Sequence, residues 1–132
     1  MSNIEKSELV IAKILGLLME WGLSAAELKF YKLDLDDEYL PFFTTCIEWL
    51  EAEAIIRTNK IQKFGGGDAW ILGPTLTARG LALMGQQLKV GEGTTTVGEA
   101  VQRTQKETSY FTGAGDLAGG FVGGLFKSLA SA

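Results

Sequence analysis

Apolar residues recur at helical spacing near the start of the chain, where Ile4, Ile11, Ile14, Leu15, Leu18 and Trp21 form a broad stripe and Glu5, Lys6, Glu8 and Lys13 fall largely off it. Gly22 ends that run. Ser24-Ala25-Ala26-Glu27 has the spacing of a capping box, in which hydroxyl and carboxylate satisfy each other's backbone donors, so a second helix is expected to about Leu33, with Leu28, Tyr31 and Leu33 completing the core. A third helix is expected from Tyr39 to Glu53. Phe43, Ile47, Leu50 and Ala54 gather on its core side with Cys46 beside them; Thr44, Thr45, Glu48 and Glu51 lie opposite, and Phe42 and Trp49 at the border.

The period then changes. Ala54 to Thr58 and Ala69 to Leu72 are short and lack helical spacing, so both read as strands, and Phe64-Gly65-Gly66-Gly67-Asp68 between them suits a hairpin tip. Gly73-Pro74 ends the second strand, and Thr77 is placed to cap a further helix through Leu88. The expected core contains Ile11, Leu15, Leu18, Phe43, Ile47, Leu50 and Trp70.

Two residue runs carry a resemblance. Phe43-x-x-x-Ile47-x-Trp49-Leu50-x-x-Glu53-Ala54-x-Ile56-Arg57, followed by Leu72-Gly73-Pro74-x-Leu76-Thr77-x-x-Gly80-x-x-x-Met84, resembles the winged-helix superfamily, and in particular its small prophage-associated members of unassigned activity. The similarity covers roughly residues 4 to 88. It implies a mainly α domain with a small β-hairpin wing (a winged helix-turn-helix) over residues 1–88, which one fold alone does not convert into a function.

Beyond it, residues 89–112 read as a linker with a weak helix, since Gly91 to Gly98 is glycine- and threonine-rich. Residues 113–132 form a Gly-rich helical tail. Its glycines at 115, 119 and 123, and at 120 and 124, make one smooth face, while Leu117, Phe121, Val122, Leu125, Phe126 and Leu129 supply the other. Glycine costs about 1 kcal/mol each relative to alanine in a helix, so something must reward that apolar face. The tail therefore packs on its own domain, on a second copy, or at a membrane interface.

Charge narrows the functions. The 132-residue chain has net charge −4, and through Leu88 it carries 8 basic against 12 acidic residues, so the acidity belongs to the expected domain. That sign opposes phosphate backbones and anionic membranes. With one cysteine and no histidine, Cys/His zinc sites and Ser-His or Cys-His dyads are excluded, Cys46 reads as a small core residue, and a reducing cytoplasm fits. The start of the chain does not look like a signal peptide, because Lys13 interrupts the apolar run; no stretch of about 20 apolar residues exists to span a bilayer.

Asp34 to Glu38 lacks the glycine and glutamate of a calcium loop, Tyr39 and Thr45 standing there instead, and is explained as acidic charge ahead of a helix N-terminus. Gly65 to Gly67 lacks the Gly-Lys-Ser/Thr of a phosphate loop, and Gly113-Ala114-Gly115-Asp116-Leu117-Ala118 has no strand before it to make a dinucleotide site. No catalytic, cofactor or metal residues are expected, nor a small-molecule substrate.

The expectation is a non-catalytic module acting through a protein partner or self-association, with interaction surfaces at Thr44, Thr45, Glu48 and Glu51 and along the apolar face of the tail. The alternative is a winged-helix DNA-binding regulator contacting phosphates through Arg57, Lys60 and Lys63, although the third helix offers carboxylates where such a reader needs cations.

Overall fold

Eleven consecutive residues of the first helix, Glu8 to Leu18, are buried, so this helix is enclosed on every side rather than along one stripe. A computed structural model describes residues 1–113 and 120–130 of the chain. The helix, α1 (Asn3–Trp21), opens with a true capping box: Glu5 N–H donates to Ser2 Oγ, and Ser2 N–H donates to the Glu5 carboxylate.

After it come β1 (Glu27–Lys29), two 3-10 segments (Phe30–Leu33 and Asp37–Phe42), α2 (Phe43–Ala52) and β2 (Ile56–Arg57). Next in order are β3 (Lys60–Gly65), β4 (Asp68–Leu72), β5 (Thr75–Leu76), α3 (Ala78–Met84), β6 (Gln87–Val90), β7 (Gly93–Thr96), α4 (Val97–Lys106), α5 (Ser109–Thr112) and α6 (Gly124–Ala130). The result is a mixed α/β domain, mainly helical, with three small antiparallel sheets. The largest has the order β1-β4-β3; β2 pairs with β5, and β6 with β7.

Several expectations change. Ser24 and Glu27 do not cap a second helix, because Glu27–Lys29 pairs with β4 and sets Leu28 opposite the buried Ile71. So short a segment gains more from that ladder than from an isolated helical turn. Tyr31, expected in the core, is exposed.

The third helix starts at Phe43 rather than Tyr39, the segment containing Pro41 being 3-10, since proline has no N–H for an α-helical bond. Ala54 is exposed and turns the chain out of the helix with φ 58°. The strand read over Ala54 to Thr58 is not the hairpin's first strand, since Ile56–Arg57 pairs with β5 and it is Lys60–Gly65 that pairs with β4. Trp70 is also outside the core. Alternation along β4 puts Ala69 and Ile71 inside, so Trp70 must face solvent and is 42% exposed.

Thr77 does cap α3, its Oγ1 accepting from Gly80 N–H, but that helix ends at Met84. Residues 87–90 are a strand with Leu88 and Val90 inside, and where composition reads a linker the chain forms the β6–β7 hairpin and then α4. In α4, Val97, Ala100, Val101 and Thr104 are buried at helical spacing, and Thr96 Oγ1 caps it by accepting from Glu99 N–H. This helix packs along α1. Gly16 permits the approach: a Cβ there would collide with the Val101 carbonyl and the Gln105 side chain.

The C-terminal helix closes the remaining side of α1. Phe121, Leu125 and Leu129 are buried against the rest of the chain, so these three residues of the expected interaction surface are internal. Leu117 lies outside the described residues, as do Gly115 and Gly119. The regular helix spans only Gly124–Ala130, because Gly123 takes φ 87°.

Two of the four charged residues off the α1 stripe, Glu8 and Lys13, are buried, and each has a dedicated partner. The Glu8 carboxylate accepts from Gly123 N–H at 2.6 Å and Phe126 N–H at 3.0 Å, capping α6. Lys13 Nζ donates to the Gln105 carbonyl in the last turn of α4 at 3.1 Å. Burial lowers the Lys13 pKa below the ordinary 10.5, partly offset by the Asp34 carboxylate.

Two outcomes follow from this enclosure. Leu125→Ala should cost about 2–5 kcal/mol in urea unfolding, whereas Leu81→Ala, at an exposed site of α3, should stay within about 0.5 kcal/mol. Because the unfolded chain holds the Lys13 proton more tightly than the folded one, the cost of its buried charge is present below the lowered pKa and fades as pH rises towards 10.5. A Lys13→Met variant should therefore lose stability relative to the parent between neutral pH and 10.5, and a difference that does not change with pH would contradict this assignment.

Candidate functional site

The residues first marked on α2 and the hairpin hold those two elements together. Thr44 is buried; its N–H and its Oγ1 both donate to the Gly67 carbonyl, at 3.1 and 2.6 Å. Glu48 pairs with Lys63 at 2.6 Å. Glu51 accepts from Thr58 N–H at 3.1 Å and Thr58 Oγ1 at 2.5 Å. Thr45 remains exposed, its hydroxyl donating to the Phe42 carbonyl. The acidic face of α2 thus fastens the hairpin.

Strand alternation splits the basic residues. Lys63 turns to α2, while Lys60 and Gln62 share the other face of β3 with Phe64. Arg57 and Lys60 are exposed and form no ion pair among the described residues. On this open face Phe64 and Trp70 meet edge to face at 5.1 Å, and Lys29 Nζ stands 4.5 Å above the Trp70 ring. Phe64 is 49% exposed. Beside this pair, β3 bonds to β4 on one edge only, and no other strand among the described residues pairs with it.

The second site is a groove of about 470 Å³ between the start of α1, α2 and α6. Ile4, Ile11, Trp49, Ile55, Phe126 and Leu129 supply its apolar lining, and Ser7, Thr45, Glu53 and Arg79 its polar margin. Ile4 and Trp49 stay 68% and 38% exposed, so they form the rim. Trp49 is fixed by an edge-to-face contact with Phe126 at 5.5 Å. Val122 and Phe126, the remaining tail residues, are half-buried. Arg79 is oriented from one side, its Nε donating to the Glu53 carbonyl at 3.1 Å, and it makes no ion pair among the described residues.

Cys46 also reaches this groove, with its thiol donating weakly to the Ser7 carbonyl at 3.6 Å. Burial pushes its pKa up to about 12. Among the described residues no group of His, Cys, Asp and Glu is arranged to hold a metal ion, and no helix is long and apolar enough to cross a membrane.

Sequence reasoning missed the groove because its parts come from four separated stretches of chain. It also missed the Phe64–Trp70 pair, although a period of two on either side of the glycine tip places both aromatics on one face. Comparison with protein-family models, with curated proteins and with solved structures finds no match to this chain.

A thiol so placed should be inert. In the folded protein at pH 8, Cys46 should react with a disulfide reagent at least about 100-fold more slowly than in urea-unfolded protein, and comparable rates would mean that the groove opens to expose it.

Proposed function

We propose that this protein is a non-catalytic interaction module of winged-helix type, which takes up an extended segment of a protein partner along the free edge of β3. The observation that carries the reading is that open edge, set beside the exposed Phe64–Trp70 pair. Strand addition draws affinity from main-chain hydrogen bonds and selectivity from alternate side chains, and the aromatic pair would receive apolar ones. Lys60, exposed on β3 and in no ion pair among the described residues, favours a segment with acidic residues. The winged-helix assignment is supported by the sheet order β1-β4-β3, with α2 and the short β2 preceding the hairpin.

Two observations weigh against the reading as a DNA regulator. Of the three candidate cations Arg57, Lys60 and Lys63, Lys63 is already paired with Glu48, and the helix that would enter a major groove is flanked by α6 through the Trp49–Phe126 contact. Arg57 and Lys60 alone would neutralise few phosphates.

Panning the full chain against a displayed library of random peptides tests the proposal. Extended sequences alternating apolar and acidic residues should be selected, and Phe64→Ala or Trp70→Ala, both at exposed positions, should weaken them about tenfold. Tight duplex DNA binding at low salt, steeply weakened by salt and abolished by Lys60→Glu, with no peptide selected, would replace this reading by the regulator.

A further inference from the structure

The groove between α1, α2 and α6 has features that the hairpin does not explain. It is lined mostly by apolar residues and gathers Ile4 and Trp49, two of the eight large apolar side chains exposed among the described residues, onto one rim. Its polar margin is not symmetrical. Arg79 is held there by a single bond from Nε to the Glu53 carbonyl, which leaves the outer guanidinium nitrogens without a carboxylate partner among the described residues. An oriented guanidinium presents paired donors in the spacing of a carboxylate's two oxygens.

Size points to the class of occupant. The groove offers about 470 Å³, within the range of about 300–1,000 Å³ typical of small-molecule sites, and Phe126, Leu129 and Ala130 of α6 form one wall.

We infer that this groove binds one amphiphilic carboxylate, an aliphatic chain ending in a carboxylate, with the chain against Ile11, Trp49, Ile55 and Phe126 and the carboxylate on Arg79. Chain burial supplies most of the affinity. The guanidinium supplies the selectivity for an acid over an alcohol of equal length. Glu53, on the same margin, opposes an anionic head group. The site is independent of the β3 edge, so either assignment stands or falls without the other.

Calorimetric titration of the full chain with decanoate, kept below its micellar concentration, tests the site, with decanol for comparison. Decanoate should bind saturably at one per chain and at least about tenfold tighter than decanol. Arg79→Ala should bring decanoate down to the level of decanol, Arg79→Lys should fall between, and Glu53→Gln should tighten it. Thr45→Phe, which enlarges an exposed side chain on the groove margin, should block both ligands. All three positions are exposed, and an unchanged thermal midpoint identifies variants that remain folded. The absence of saturable decanoate binding, or decanoate binding that Arg79→Ala or Thr45→Phe leaves unchanged, overturns the assignment.

Discussion

The structure depends on enclosing a single helix whose middle has no solvent face. With Glu8 to Leu18 all buried, α1 must be covered from every direction, and each covering element meets it in a different way. Partners such as Ile47 and Leu50 approach as ordinary apolar packing. The other two contacts are specified by polar atoms or by shape: Gly16 admits the backbone of α4, and Glu8 meets the N-terminal amides of α6. A buried carboxylate without those amides would carry a large desolvation cost, so α6 is bound to one position on α1 rather than to apolar surface in general.

Lys13 acts at the opposite pole. Its ammonium meets a carbonyl in the last turn of α4, where helix geometry leaves acceptors unsatisfied and the macrodipole is negative. The two buried ionic residues of α1 thus distinguish two helices by their ends, an anion for an N-terminus and a cation for a C-terminus. Apolar burial provides most of the stabilisation, but it is not directional. The polar pair fixes which helix lies where.

How much of this could be read from residues alone follows the same division. Helices α1 and α2, the glycine tip, strand β4 and the Thr77 cap were legible, because local periodicity and turn chemistry determine them. The segment from Gly91 onwards was not. Its strand β7 uses Thr94, Thr95 and Thr96 with no apolar side chain, and α4 presents a narrow stripe that gains meaning only beside Gly16. The tail had a legible need for an apolar surface, whereas the identity of that surface rested on Glu8, a residue that helical periodicity assigns to solvent. Sequence patterning shows that a face must be buried, and says little about which of several faces will bury it.

The same reasoning explains why the candidate sites moved. Carboxylates on α2 looked available because nothing nearby in sequence used them, yet folding brings Lys63 to Glu48 and Thr58 to Glu51 and spends that face on fixing the hairpin. Once the hairpin is fixed from behind, its front must carry whatever the inner face cannot hold, and Trp70 and Phe64 go outward together. The groove has a related origin: α6 covers α1 only as far as its short apolar row reaches, leaving Ile4 and Trp49 beyond its edge. Both surfaces are therefore remainders of packing decisions made elsewhere in the fold. Their rigid backing, one through α2 and the other through the Glu8 cap, keeps them open instead of allowing the apolar side chains to collapse inward.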